Sequence, residues 1–162
     1  MDFPWGSEFH QKFITNVGLI TSNGPHGHNV MAAEWTYLTS YSPAMIVVSI
    51  GPRKATAENI QATKVFGVSL AADDQNVFSS VAGGSTGREY DKIAALKELG
   101  THFVKGEKLD VQLVEGAALQ AECNLVEVVK RGDHYLFIGE VVSARVTDKK
   151  PIAYHQNKYW KM

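Results

Sequence analysis

The stretch Asn29 to Asn59, NVMAAEWTYLTSYSPAMIVVSIGPRKATAEN, decides how this chain is read. Its first half, Val30 to Thr39, is an extended run carrying Trp35, and Ser42-Pro43 turns the chain into Met45 to Ile50. That second run is β-branched and apolar, which suits a strand buried on both faces. Gly51-Pro52 closes it, Arg53 and Lys54 follow, and Ala55 to Thr63 reads as a short helix with Thr56 as its cap and Glu58 in the first turn. A helix start leaves backbone N–H groups unpaired. Two cations and a hydroxyl placed there make a candidate anion grip beside a flat apolar strand.

Working outward, Phe13 to Ser22 reads as a strand ended by Asn23-Gly24-Pro25, and Val65 to Leu70 as another. Asp73-Asp74 offers caps for a helix running through Val81 and closed by Gly83-Gly84, and Asp91 to Leu99 is a second helix stopped by Gly100. Leu119, Ala121, Cys123 and Leu125 alternate with Gln120, Glu122 and Asn124, the pattern of a half-buried strand. Arg131-Gly132-Asp133 turns the chain, and Tyr135 to Val146 runs back, which makes a hairpin. Many strands, few short helices and no regular strand–helix alternation predict a mainly β fold, a closed or nearly closed antiparallel barrel. No G-x-G-x-x-G sits between a strand and a helix, which argues against a doubly wound dinucleotide fold. No linker, repeat or low-complexity block divides the 162 residues, so one domain over 1–162 is expected.

Composition narrows the function classes. Sixteen basic residues against 17 acidic ones leave a net charge of −1, with no basic stripe or recognition motif for nucleic acid. The single cysteine, Cys123, excludes an internal disulfide and reads as a buried structural thiol. The longest apolar run is far shorter than a membrane span and the N-terminus lacks a signal pattern, so the expected location is the cytoplasm, away from membranes.

Several residues are candidates for chemistry. Arg53, Lys54 and Thr56 supply charge and a hydroxyl, and the loop Gly83-Gly84-Ser85-Thr86-Gly87-Arg88, with Lys92 close behind, adds a second donor-rich segment. Taken singly, either segment is more often a solvated turn or a mobile surface loop, and neither is a Walker loop. His26 and His28 have no carboxylate or cysteine at ligand spacing and read as surface residues, so no metal site is expected. His134 differs, because it opens a strand directly after a tight turn, where a side chain projects into a barrel mouth. Ser79-Ser80 lies on a helix and no G-x-S-x-G occurs, so a hydrolase finds little support. Trp35, Tyr37, Tyr154, Tyr159 and Trp160 are aromatic enough to wall a planar ligand, although aromatics in a small barrel are more often core or interface residues. A flat platform beside a phosphate grip suits flavin mononucleotide (FMN) better than other common cofactors.

These elements in this order resemble the flavin reductase-like, FMN-binding split-barrel family. The resemblance runs through N-x-M-x-x-x-W (Asn29, Met31, Trp35), Ser42-Pro43, and S-I-x-P-R-x-x-T-x-x-N-I (Ser49, Ile50, Pro52, Arg53, Thr56, Asn59, Ile60). It continues through Lys64 to Val68, the loop ending at Asp91-Lys92, the hairpin AECNLVEVVKRGDHYLFIGEVV, and a Tyr-rich close at Tyr159. Many members place Thr or Ser and a further Ser where this chain has Ala32, Ala33 and Glu34.

The resemblance implies a Greek-key-like split β-barrel, a homodimer, and one FMN per subunit near the dimer interface. It implies that Asn29, Val30, Met31, Ala32, Ala33, Glu34 and Trp35, with Ser49, Ile50 and Gly51, line the isoalloxazine. Arg53, Thr56 and Lys92 would address the phosphate, Asn59 belongs to the same cofactor motif, and His134 would position the substrate. The implied activity is hydride transfer from NAD(P)H to flavin, with the reduced flavin delivered to a monooxygenase, a redox protein or ferric iron. A flavoredoxin-like electron carrier, taking electrons from a protein partner, shares the same barrel.

Overall fold

The computed structural model describes residues 1–162. In chain order a 3-10 turn at His10–Lys12 precedes β1 (Thr15–Asn16), β2 (Gly18–Ser22), β3 (Asn29–Ala33), β4 (Thr36–Tyr41) and β5 (Ala44–Ile50). Then come α1 (Ala55–Thr63), β6 (Val65–Leu70), α2 (Asn76–Gly84), α3 (Lys92–Glu98), β7 (Phe103–Lys105) and β8 (Gln112–Val114). The chain ends in β9 (Leu119–Arg131), β10 (His134–Val146), β11 (Ile152–His155) and β12 (Lys158–Lys161). The fold is mainly β, with three short α-helices. None is long and apolar enough to cross a membrane.

Seven strands form one antiparallel sheet in the order β3-β2-β6-β9-β10-β5-β4. Its two ends, β3 and β4, are consecutive in sequence and joined by Glu34 and Trp35, yet they do not pair with each other. The expected closed or nearly closed barrel is therefore open in its hydrogen bonding between β3 and β4. The long predicted run Val30 to Thr39 breaks at this joint into two strands, and Phe13 to Ser22 breaks likewise at Val17. The predicted hairpin is present, with Arg131 opposite His134 and Gly132 at φ +56°, a conformation that glycine adopts without a Cβ penalty.

Period-two alternation sends neighbouring strand residues to opposite faces, and both faces of the central strands are covered. Ile20, Val48, Ile50, Phe66, Val68, Cys123 and Phe137 pack with Ala57 and Ile60 of α1 in one core. Leu19 and Val30 point the other way, into a second core with Ala82 of α2 and Ile93 and Leu96 of α3. Cys123 is fully buried, and its thiol is pushed up to about 12, first by burial and then by the Glu122 charge, which suits an inert structural thiol.

Two predicted caps lie elsewhere. Lys54 precedes α1 without a side-chain cap, and Thr56 is buried inside the first turn. Gln75, not Asp73 or Asp74, precedes α2, while Asp74 accepts from Lys149 Nζ at 2.6 Å. Asp91 does cap α3, accepting from Ala94 N at 2.9 Å.

Candidate functional site

The β3–β4 joint, the β5–α1 turn and the β9–β10 turn meet at one end of the sheet. Four connected hollows lie there, and Lys54 borders all of them. The first, of about 260 Å³, has Met31, Ala32, Ala33, Glu34 and Trp35 along one wall and Ser49, Ile50 and Gly51 along another. Trp5 and His10 from the N-terminal segment and Asp133 and His134 from the hairpin complete it. Ser49 N donates to Trp35 O at 2.9 Å, which fixes the two walls against each other. The Trp35 indole and His134 imidazole lie 4.9 Å apart between ring centroids. His134 Nδ1 is 2.7 Å from Asp133 Oδ1, an arrangement that holds the exposed Asp133 carboxyl below its usual range.

A second hollow, of about 550 Å³, shares Ala32, Ala33 and Glu34 and extends to Ser79, Ser80, Tyr154 and Tyr159. The two tyrosine rings pack 5.3 Å apart. Together the two spaces give a broad floor of small side chains, Ala32 and Ala33, with aromatic rings at its margins. Small residues let a planar ring approach the strand backbone closely.

The third hollow is small, about 40 Å³, with room for a group of a few heavy atoms. Asn29, Thr56, Ser85, Thr86, Gly87 and Lys92 line it. Asn29 Nδ2 donates to Thr56 Oγ1 at 2.8 Å, which ties β3 to α1. The backbone of Gly87 lies so close to Asn29 that a Cβ there would collide with the amide, so the loop from Gly83 to Arg88 closes the cavity only with glycine at this place. Lys92 is 4% exposed and has no carboxylate partner; its Nζ donates to Ala82 O at 2.9 Å and Ser85 O at 3.1 Å. Burial first, and the neighbouring Lys54 charge second, lower its amine to about 8. Two cations pressed together beside hydroxyls and backbone N–H groups, without an acid to balance them, fit a bound anion.

The fourth is an open groove of about 620 Å³ lined by Arg53, Lys54, Thr86, Lys130 and Tyr135. Arg53 faces this groove rather than the small anion cavity, and its carbonyl accepts from Arg88 Nε at 2.9 Å.

Two expected site residues line none of these hollows. Val30 is fully buried in the second core; it shares a strand face with Ala32, but it lies in the cluster with Ala82 of α2 and Ile93 and Leu96 of α3. Asn59 is fully buried under the β2–β3 turn, where Nδ2 donates to Ser22 Oγ and Gly27 O and Oδ1 accepts from His26 N. Its amide shapes the turn. Conversely, Trp5 and His10 line the site although no motif marks them in the sequence. Their only signal was an aromatic-rich start, FPWGSEFH, that no strand or helix pattern explains. His26 pairs with Glu58 Oε2 at 2.5 Å, and no group of three or more metal-binding side chains gathers anywhere.

Comparison with known proteins places this arrangement. An uncharacterized protein of Pyrococcus abyssi is 30% identical over 125 residues, covering 77% of this chain and 70% of that protein. The chain spans 66% and 44% of two further archaeal relatives. An NADH-dependent flavin reductase of a Rhodococcus species is 26% identical over 154 residues, 91% of this chain and 80% of that one. The solved structure of the flavin reductase PheA2 in its native state superposes with a TM-score of 0.82 at 28% identity, covering 100% of this chain and 99% of that chain. The sequence model of the flavin reductase like domain matches residues 10–162, and the chain belongs to that family.

Proposed function

We propose that this protein is an NAD(P)H-dependent flavin reductase that binds FMN across the platform and the small anion cavity. The observation that carries the reading is the buried Lys92, held beside Lys54 and Thr56 without a carboxylate partner, one short reach from a floor of Ala32 and Ala33. The phosphate of the flavin would meet Thr56, Lys92, Ser85, Thr86 and the backbone of Gly87. Asn29 holds Thr56 in place for that contact. The isoalloxazine would lie along Met31 to Trp35 and Ser49 to Gly51, and Arg53 would stand at the outer edge of the phosphate end.

The flavin supplies the hydride-accepting chemistry when bound. The chain supplies position and dryness. Ala32 and Ala33 admit the ring close to the backbone, and Trp35 and His134 form one wall of the space in which a nicotinamide would stack. His134, braced by Asp133, would orient that donor. No protein nucleophile is needed, in keeping with the buried, unreactive Cys123.

In this reading residues 1–162 act as one cytoplasmic domain of split-barrel type, supported by β3 and β4 meeting end to end at the site. The unpaired edge of β4, with Leu38 and Tyr41 exposed, is the surface on which a homodimer would form. Reduced flavin would pass to a monooxygenase or a redox protein. Anaerobic mixing of the FMN-loaded protein with NADH or NADPH tests the activity: bleaching of the flavin is expected with at least one donor. Tight FMN binding without bleaching by either would instead identify an electron carrier fed by a protein partner.

A further inference from the structure

Glu34 stands where the two platform hollows join, and with Trp5, Ala32, Ala33 and Lys54 it borders both. The N-terminal segment grips its carboxylate from one side. Trp5 Nε1 donates to Oε1 at 3.0 Å, and His10 Nε2 lies 3.2 Å from Oε2. The far end of the imidazole sets the direction of that second bond. Gly6 N–H meets His10 Nδ1 at 3.1 Å, and a backbone N–H can only donate. Nδ1 is therefore the acceptor, and Nε2 carries the proton that Glu34 receives.

An ionised carboxylate offers about four acceptor positions. Trp5 and His10 fill one on each oxygen. The side chain keeps 26% of its surface, on the cavity side, and no ion pair joins it to Lys54. Two phenols feel its charge: the hydroxyls of Tyr154, in the larger hollow, and of Tyr37 on β4 are both raised, by burial first and by Glu34 next. The platform thus carries a preorganised acceptor with lone pairs to spare, and no donor beyond Trp5 and His10 is bonded to its carboxylate.

We propose that Glu34 is a specificity-determining residue that accepts a hydrogen bond from an N–H on the edge of the bound heterocycle, with Trp5 and His10 as its positioning residues. This rests on the flavin reductase reading above. Two ligands carry such an edge: the imide N–H of the isoalloxazine and the carboxamide of a nicotinamide. A ligand with a methyl group in place of that hydrogen would leave the carboxylate facing carbon, which costs roughly 10- to 100-fold in affinity.

The test compares dissociation constants of two ligand pairs, read by flavin fluorescence quenching and by competition. One pair is FMN against its N3-methyl analogue; the other is NAD against 3-acetylpyridine adenine dinucleotide, whose acetyl group has no N–H. Wild type is expected to prefer the N–H member of one pair by roughly 10- to 100-fold, and that pair names the source. Glu34→Leu, which keeps the bulk, should erase the preference. Trp5→Phe, which keeps an aromatic ring but removes the Nε1–H that holds Oε1, should shrink the ratio between the two members of that pair. Absence of preference in both pairs, or a preference that survives in Glu34→Leu, would overturn the inference while leaving the flavin reading intact. A protein that binds no flavin at all would overturn both.

Discussion

The imidazole of His134 sits 4.9 Å from the indole of Trp35, ring centroid to ring centroid, joining the start of β10 to the link between β3 and β4. The contact forms because β5 pairs with both β4 and β10, so the ends of all three strands are brought to one corner. His134→Ala is expected to lower kcat/KM for the nicotinamide donor by roughly tenfold to a hundredfold, as loss of a positioning contact does. FMN affinity should change little. Steady-state kinetics and flavin titration on the same variant check the split; an equal loss in both would place His134 under the flavin instead.

Lys92 makes the flavin-free protein pH-dependent in a defined sense. Its amine is lowered to about 8 in the fold, by burial first and by Lys54 next, against about 10.4 in an unfolded chain. The charged form is thus disfavoured by folding, and the penalty is fully present below pH 8 and relieved as pH rises toward the unfolded value. Compared with Lys92→Met, the flavin-free wild type should gain on the order of 2 kcal/mol between pH 7 and pH 9.5. Thermal unfolding of both proteins at the two pH values measures this. Bound FMN should reverse the ranking at pH 7, because the phosphate then balances the ammonium.

Asn59 and Thr56 lie one helical turn apart yet should fail differently. Asn59→Ala leaves Ser22, Gly27 and the His26 N–H without partners and should cost roughly 2–4 kcal/mol of stability. The affinity of the protein that remains folded should be close to wild type. Thr56→Val keeps the shape of the helix turn but removes the hydroxyl from the anion cavity and from Asn29 Nδ2, so beyond the stability lost at Asn29 it should weaken FMN binding by about 1–2 kcal/mol. Melting curves with and without FMN separate the two effects.

Glu122 supplies an acid-sensitive staple far from the platform. Burial works to raise its carboxyl, but the backbone N–H groups of Leu109, Glu107 and Lys108 donate to it and hold it below the usual range. A carboxyl depressed by folding contributes stability above its unfolded value of about 4.3 and loses it as pH falls through the folded value. Glu122→Gln should cost roughly 1–3 kcal/mol at pH 7 and progressively less in acid. Denaturant titrations at pH 7 and in acid follow the narrowing gap.

Much of the fold was legible in local pattern. Alternation from Leu119 to Leu125 and the turn Arg131-Gly132-Asp133 placed the hairpin, since side-chain period and turn chemistry act over a few residues. The short strands β7 and β8 were not legible: at three residues each they carry no period, and only the pairing of β7 with β8 and the packing of β8 beside β2 and β6 define them. The break at Glu34-Trp35 was hidden for a related reason, because an extended joint and an extended strand share the same residue preferences.

By itself the sequence determined a mainly β chain with short helices, an inert cysteine, and the order of a platform segment followed by cations and a hydroxyl. These follow from composition and near-neighbour spacing. Tertiary structure alone decided which of those residues meet. It turned Val30 into the core and Asn59 under a turn, sent Arg53 to the outer groove, and closed Lys92 against Lys54. It also brought Trp5 and His10 back onto Glu34. Such pairings depend on strand order and on which face each side chain takes, and no local pattern encodes a contact between segments so far apart in the chain.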